Sequence, residues 1–179
     1  MFKRLNLLGL TATMLFAATP ASSQEVINIS SWAPPTHLMN AGVWPTWGKW
    51  VEEATEGRVT TKIEYGLASP LKQFELVRDG VADAAWIFHG YNTRYVATQA
   101  VEMPNLGTSA EAASVAYWRI HQKYLAKADE HKGVTLIGLT SHGPAVIQTK
   151  SPLNSLDDLS GQKIRVPGGV GSLVGKALG

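Results

Sequence analysis

The stretch VTTKIEYGLASPLKQFELVRDGVADAAWIF, residues 59–88, decides the fold. Val59, Thr61, Ile63 and Tyr65 alternate with other residues at the two-residue period of a strand. Ser69-Pro70 then opens a helix that carries Leu71, Phe74 and Val77 and stops before Gly80. The run from Ala82 to Phe88 is nearly continuous in apolar residues, as expected of a strand covered on both faces. Strand, helix and strand in that order imply a right-handed parallel crossover, so the architecture is α/β.

Working outward, VINISSW places Ile27 and Ile29 on a first strand ending near Trp32, before the turn Ala33-Pro34-Pro35. From Ala41, the positions Val43, Trp44, Trp47, Trp50, Val51 and Ala54 recur at helical spacing, with Pro45 in the first turn and Gly57 as C-cap. The tryptophans read first as helix-to-sheet core. Downstream, Thr108 and Glu111 form a capping-box pattern for a helix with Ala113, Ala116, Tyr117, Ile120 and Tyr124 on one face, ending between Asp129 and Gly133. Strands are expected at Val134–Leu139, Ala145–Thr149 and Lys163–Val166, a short capped turn at Ser155–Leu159, and a helix from Val170 to Leu178.

Lys3 and Arg4, an apolar run from Leu5 to Ala18 and the small residues Ala21-Ser22-Ser23 have the pattern of a secretory signal peptide, residues 1–23. The apolar run is shorter than the roughly 20 residues of a membrane-spanning helix, so the expected product is exported to the periplasm and soluble. The net charge of +2 lies in Lys3 and Arg4, which leaves the remainder formally neutral. No basic run with interleaved aromatics exists to meet phosphates, which argues against a nucleic-acid partner. With no cysteine, stability rests on packing, and 45% hydrophobic with 17% charged residues is the balance of a globular chain.

In open α/β sheets, ligands bind beyond the carboxyl ends of the strands. The loops there carry Trp32, Thr36 and His37 after the first strand, and Tyr65 and Ser69 after the second. The third is followed by His89, Tyr91 and Asn92, the fourth by Ser141 and His142. Arg165, beside the Pro167-Gly168-Gly169 turn, is the sharpest single candidate, because a planar guanidinium fits a carboxylate with two parallel hydrogen bonds. Trp86, Trp32, His37, His89, Tyr91 and His142 are expected to line the cleft around it, and no cofactor or metal is expected. Gly169-Val170-Gly171-Ser172-Leu173-Val174-Gly175 has neither dinucleotide-loop nor P-loop spacing, the five histidines lack metal-ligand spacing, and no nucleophile elbow is present. His121 and His131 read as solvated surface.

Four segments then resemble the solute-binding subunits of tripartite ATP-independent periplasmic (TRAP) transporters. They are FELVRDGVADAAW at Phe74–Trp86, GYNTRY at Gly90–Tyr95, VEMPNL at Val101–Leu106 and, most specifically, SPLNSLDDLSGQKIRVPGG at Ser151–Gly169. The last is similar to the family's D-L-x-G-x-K-I-R-V pattern, whose arginine clamps the ligand carboxylate, and the resemblance gives that role to Arg165. It implies a two-lobe binding-protein fold with parallel or mixed sheets, a small organic acid as ligand and a membrane permease pair as partner, with no catalysis. Members often carry a second arginine where this chain has Gly143-Pro144-Ala145, which favours a monocarboxylate, α-keto or hydroxy acid. Members also continue well past Gly179, so the expectation is a first lobe over residues 24–140 and a second lobe that begins at 141 and is cut short at 179, binding weakly on its own. Two readings stay open: a binding protein for an ATP-driven transporter or sensor kinase, and a secreted enzyme on a similar sheet.

Overall fold

The computed structural model describes residues 23–103, 107–166 and 168–178; the expected signal peptide lies outside them apart from Ser23. Three parallel strands form the sheet in the order β2-β1-β3, with β1 at Glu25–Ser31, β2 at Val59–Tyr65 and β3 at Ala84–Ala85. Register runs from Glu25 opposite Val59 to Ser31 opposite Tyr65, and Ile29 and Ser30 face Ala84 and Ala85 across the other edge. Ile29, Ser30 and Ser31 are buried because β1 is the central strand.

Between the strands run α1 at Trp44–Ala54 and α2 at Gln73–Arg78. A π-helical turn, Met39–Val43, leads directly into α1. It is held by Asn40, whose amide donates to the carbonyls of Ala33 and Pro34 at 3.0 and 2.9 Å and so fixes the exit from β1. Of the three tryptophans expected in the core, Trp44 is buried, Trp47 half-buried and Trp50 exposed. Helix α1 lies on β2 through Gly48, which stands against Thr61.

β3 is much shorter than the Ala82–Phe88 run predicts. Asp83 closes the near end, its carboxylate accepting from the Asn28 backbone N–H at 2.8 Å and its own N–H donating to Asn28 O at 2.9 Å. Beyond Ala85 the chain leaves the ladder, because Trp86, Phe88 and Tyr91 pack against other aromatic rings instead.

Helix α3 covers Ala110–Lys123 and is capped by Ser109 rather than Thr108, the hydroxyl accepting from Ala112 N at 3.2 Å. It ends six residues before the expected stop, followed by a 3-10 turn at Leu125–Ala128. Its buried stripe is Tyr117 and His121, whereas Ile120 and Tyr124 are exposed. The segments 134–139, 145–149 and 163–166 form no ladder among the described residues. The capped turn near residue 155 is present as a 3-10 turn, Leu156–Leu159, with Ser155 and Asp158 making a reciprocal capping box. Helix α4 occupies Val170–Ala177, one residue short of the expected end.

Candidate functional site

Beyond the carboxyl ends of β1 and β3, two loops bring their aromatic residues face to face. Trp32 stacks on Trp86 with ring centroids 4.3 Å apart, and His37 stacks on Trp86 at 5.3 Å. Tyr91 meets Trp32 edge-on at 6.0 Å and Phe88 at 4.9 Å. Phe88 in turn stacks on His142 at 6.1 Å, which brings in the 141–144 loop. Five sequence candidates, Trp32, His37, Trp86, Tyr91 and His142, therefore share one aromatic wall. Phe88 is a sixth member that the sequence reading assigned to a strand and left out of the cleft.

Hydrogen bonds hold this wall in place. The Trp32 indole N–H donates to the Trp86 carbonyl at 3.3 Å, tying the two loops together. Ser114 on α3 anchors the 141–144 loop, its hydroxyl accepting from Ser141 N at 2.8 Å and donating to Ser141 O at 3.2 Å. Gln99 closes the 89–92 turn by donating to the carbonyls of His89 and Asn92, both at 3.1 Å. The Trp86 indole nitrogen is buried and has no partner among the described residues.

His89 stands apart from the wall. Its Nδ1 is 2.8 Å from the Tyr117 hydroxyl, its Nε2 is 3.2 Å from His131 Nε2, and its ring stacks on Tyr95 at 4.1 Å. Both ring nitrogens are thus engaged inside the protein. The Tyr117 hydroxyl donates to Thr98 O at 2.7 Å, so His89 Nδ1 carries a proton for the tyrosine oxygen and neutral His89 accepts at Nε2 from His131. Burial, followed by the nearby His131, holds the His89 imidazole down at about 4. Tyr95 is pushed up to about 12, chiefly by burial.

The reading of His121 and His131 as solvated surface is corrected here. His121 is buried and stacks on Trp118, and its ring meets that of His131 at 5.4 Å. A helical stripe chosen by apolar residues alone passes over a buried imidazole. Burial, then the neighbouring His121, lowers the His131 pKa. Glu130 beside it accepts from the backbone N–H groups of Val96, Ala97 and Thr98 at 2.7, 2.6 and 3.0 Å, and from the Thr98 hydroxyl at 2.6 Å. Burial alone raises a carboxyl pKa, but these four bonds outweigh it and Glu130 titrates below its usual range.

Arg165 is exposed, in an irregular segment rather than a strand. No contact joins it directly to the aromatic wall among the described residues. The turn that follows it does touch the wall: a Cβ placed on Gly168 comes 2.7 Å from Gly90 O and 3.9 Å from Tyr91 Cα. Three peptide steps span no more than about 11 Å, which bounds how far Arg165 can stand from the Gly168 contact. Arg94, the arginine of the GYNTRY stretch, is used internally, its guanidinium lying 3.7 Å over the Phe74 ring.

The family described as bacterial extracellular solute-binding protein, family 7, matches residues 29–179. This chain belongs to that family. Among curated proteins it is 34% identical over 176 residues to "Outer membrane transporter protein TsaT" of Comamonas testosteroni, covering 95% of this chain and 52% of that protein. A TRAP periplasmic solute-binding protein of Bordetella bronchiseptica, solved with bound (R)- and (S)-mandelate, is 39% identical with a TM-score of 0.80, over 86% of this chain and 50% of that one. A marine-metagenome TRAP solute-binding protein, specific for aromatic acid ligands and solved with 3-hydroxybenzoate, is 28% identical with a TM-score of 0.81, over 88% and 50%. A Rhodoferax ferrireducens TRAP solute-binding protein with copurified benzoate is 26% identical with a TM-score of 0.70, over 76% and 43%. This chain spans about half the length of the relatives it matches. Its fold is the α/β fold of the periplasmic binding proteins. No helix among the described residues is long and apolar enough to cross a membrane.

Proposed function

We propose that this chain is the ligand-recognising part of an exported, periplasmic solute-binding protein that captures an aromatic monocarboxylate for a TRAP-type permease and carries out no catalysis. The observation that carries this reading is the aromatic wall of Trp32, His37, Trp86, Phe88 and Tyr91 at the carboxyl ends of parallel strands. Flat apolar rings with imidazole and indole edges suit an aryl group, since offset or edge-on contact with a ring contributes beyond simple burial. In this reading the carboxylate goes to Arg165, on the segment whose Gly168 turn touches the wall. Residues 24–140 form the first lobe, and the segment from 141 brings His142 and Arg165 from the second. His89 serves behind the wall rather than on it, because its nitrogens are already engaged.

The aromatic acids bound by the Bordetella, marine and Rhodoferax proteins support this ligand class. One clamp arginine, with Gly143-Pro144-Ala145 where a second would stand, fits one carboxylate better than two. Calorimetric titration of the complete gene product with benzoate, mandelate, 3-hydroxybenzoate and succinate tests the reading. The expected result is binding of the aryl acids and, in Arg165→Lys, an affinity lower by about tenfold or more, because losing a bidentate charge-assisted bond costs about 1.5 to 3 kcal/mol. Binding of succinate alone, or aryl-acid affinity indifferent to Arg165→Lys, would overturn it.

A further inference from the structure

Gly90 is enclosed on two sides. On one lies the half-buried Glu102 carboxylate, and a Cβ on Gly90 would stand 2.6 Å from Glu102 Oε2 and 2.7 Å from Phe88 Cε1. On the other lie Gly168 and Gly169, where added Cβ atoms would stand 2.7 and 3.0 Å from Gly90 O. At Gly168 that is closer than real Cβ atoms come to backbone, at Gly169 it is merely very tight, and a carbonyl oxygen in a buried turn cannot swing aside as a long side chain can. Gly168 and Gly169 are thus packed on the Gly90 backbone so closely that a side chain at Gly168 would push the two segments apart.

This contact joins the two parts of the proposed site. Gly90 lies between Phe88 and Tyr91 on the wall, while Gly168 lies three residues after Arg165. We infer that Gly168, seated on Gly90, is the positioning residue that carries the Arg165 segment to the aromatic wall, so that the guanidinium and the rings act on one ligand. The inference rests on the aromatic-acid reading for its consequence in binding, but the seating itself can be measured without ligand.

Gly168→Ala is the clean substitution, because Gly168 does not have positive φ, whereas Gly169 has φ 59° and would be strained by any side chain. Gly138→Ala is the matched control, since nothing lies within 4 Å of its added Cβ. The first readout is the rate of tryptic cleavage after Arg165 in the complete, folded gene product. We expect it to be several-fold faster in Gly168→Ala than in the wild type or Gly138→Ala, with the urea midpoint little changed. The second is aryl-acid affinity in a double-mutant cycle. Gly168→Ala weakens binding about tenfold when Arg165 is present and much less in the Arg165→Lys background, the non-additivity of residues that act through one another. An unchanged cleavage rate overturns the inference even if aryl acids bind, and so do equal losses in both backgrounds. Faster cleavage in a protein whose wild type binds no aryl acid supports the seating and overturns the functional reading instead.

Discussion

Gln73 shows how much one polar residue can do at the heart of this sheet. It is fully buried, its Oε1 accepting from the Ser30 hydroxyl at 2.7 Å and its Nε2 donating to the carbonyls of Ala68 and Ser69 at 3.0 and 3.3 Å. It therefore ties the central strand to the loop before α2. Replacing it with leucine keeps the bulk and strands the Ser30 hydroxyl and the Ala68 carbonyl without partners. A buried group left unsatisfied costs about 1–3 kcal/mol, so Gln73→Leu should lower the unfolding free energy by that amount, seen as a lower urea midpoint with an unchanged slope. A midpoint equal to the wild type would mean that water replaces the lost partners. The apolar period of this segment points to Leu71, which is 56% exposed, and passes over Gln73, because periodicity detects where a face is apolar and not where the sheet lies. The same blindness hid His121 and His131. That Trp32, Tyr91 and His142 share one group of rings was legible because the strand-end rule depends on topology rather than on side-chain polarity, whereas Trp86 and Phe88 fell inside an expected strand that ends earlier.

At the scale of elements, local signals decided what could be read. β1, β2, α1 and α4 carry both a period and a punctuating glycine or proline, and the structure places them within a few residues of expectation. The segments 134–139, 145–149 and 163–166 have apolar patterns but no ladder among the described residues, since a strand exists only through its neighbour's hydrogen bonds and sequence pattern does not supply the neighbour. The packing of α1 on β2 offers a test of sign. An exposed helical Gly→Ala exchange gains up to about 1 kcal/mol. At Gly48, however, the new Cβ overlaps Thr61 Oγ1, and forcing atoms into a packed contact costs about 1–3 kcal/mol. Gly48→Ala should therefore lower the thermal midpoint, whereas in a Thr61→Ala background the same change should be neutral or raise it. A stabilising Gly48→Ala in the wild-type background would show that α1 shifts freely on the sheet.

At the scale of the whole molecule, acid should loosen the joint between the sheet's loops and α3. His89 on the loop after β3 faces Tyr117 and His121 of α3, Tyr95 of the following loop, and Glu130 and His131 beyond α3, while His131 in turn feels His121, Glu130 and Arg94. The folded protein holds His89 neutral, with its pKa at about 4 against 6.5 when free. A depressed histidine stabilises the fold above its free value, and that contribution drains away as the pH falls from 6.5 toward 4, because the unfolded chain takes up the proton first. His131 is depressed as well and acts in the same direction. Glu130, also depressed, keeps its grip on Val96, Ala97 and Thr98 until lower pH still. The thermal midpoint should thus be nearly flat from pH 8 to 7 and fall steadily from pH 6.5 to 4.5. In His89→Phe the ring keeps its stack on Tyr95 but loses its titration and its bonds to Tyr117 and His131. That variant should begin lower at pH 7 and lose less on acidification, so the two curves converge. Parallel curves would mean that His89 binds its proton equally in the folded and unfolded chain and that the acid sensitivity lies with other groups.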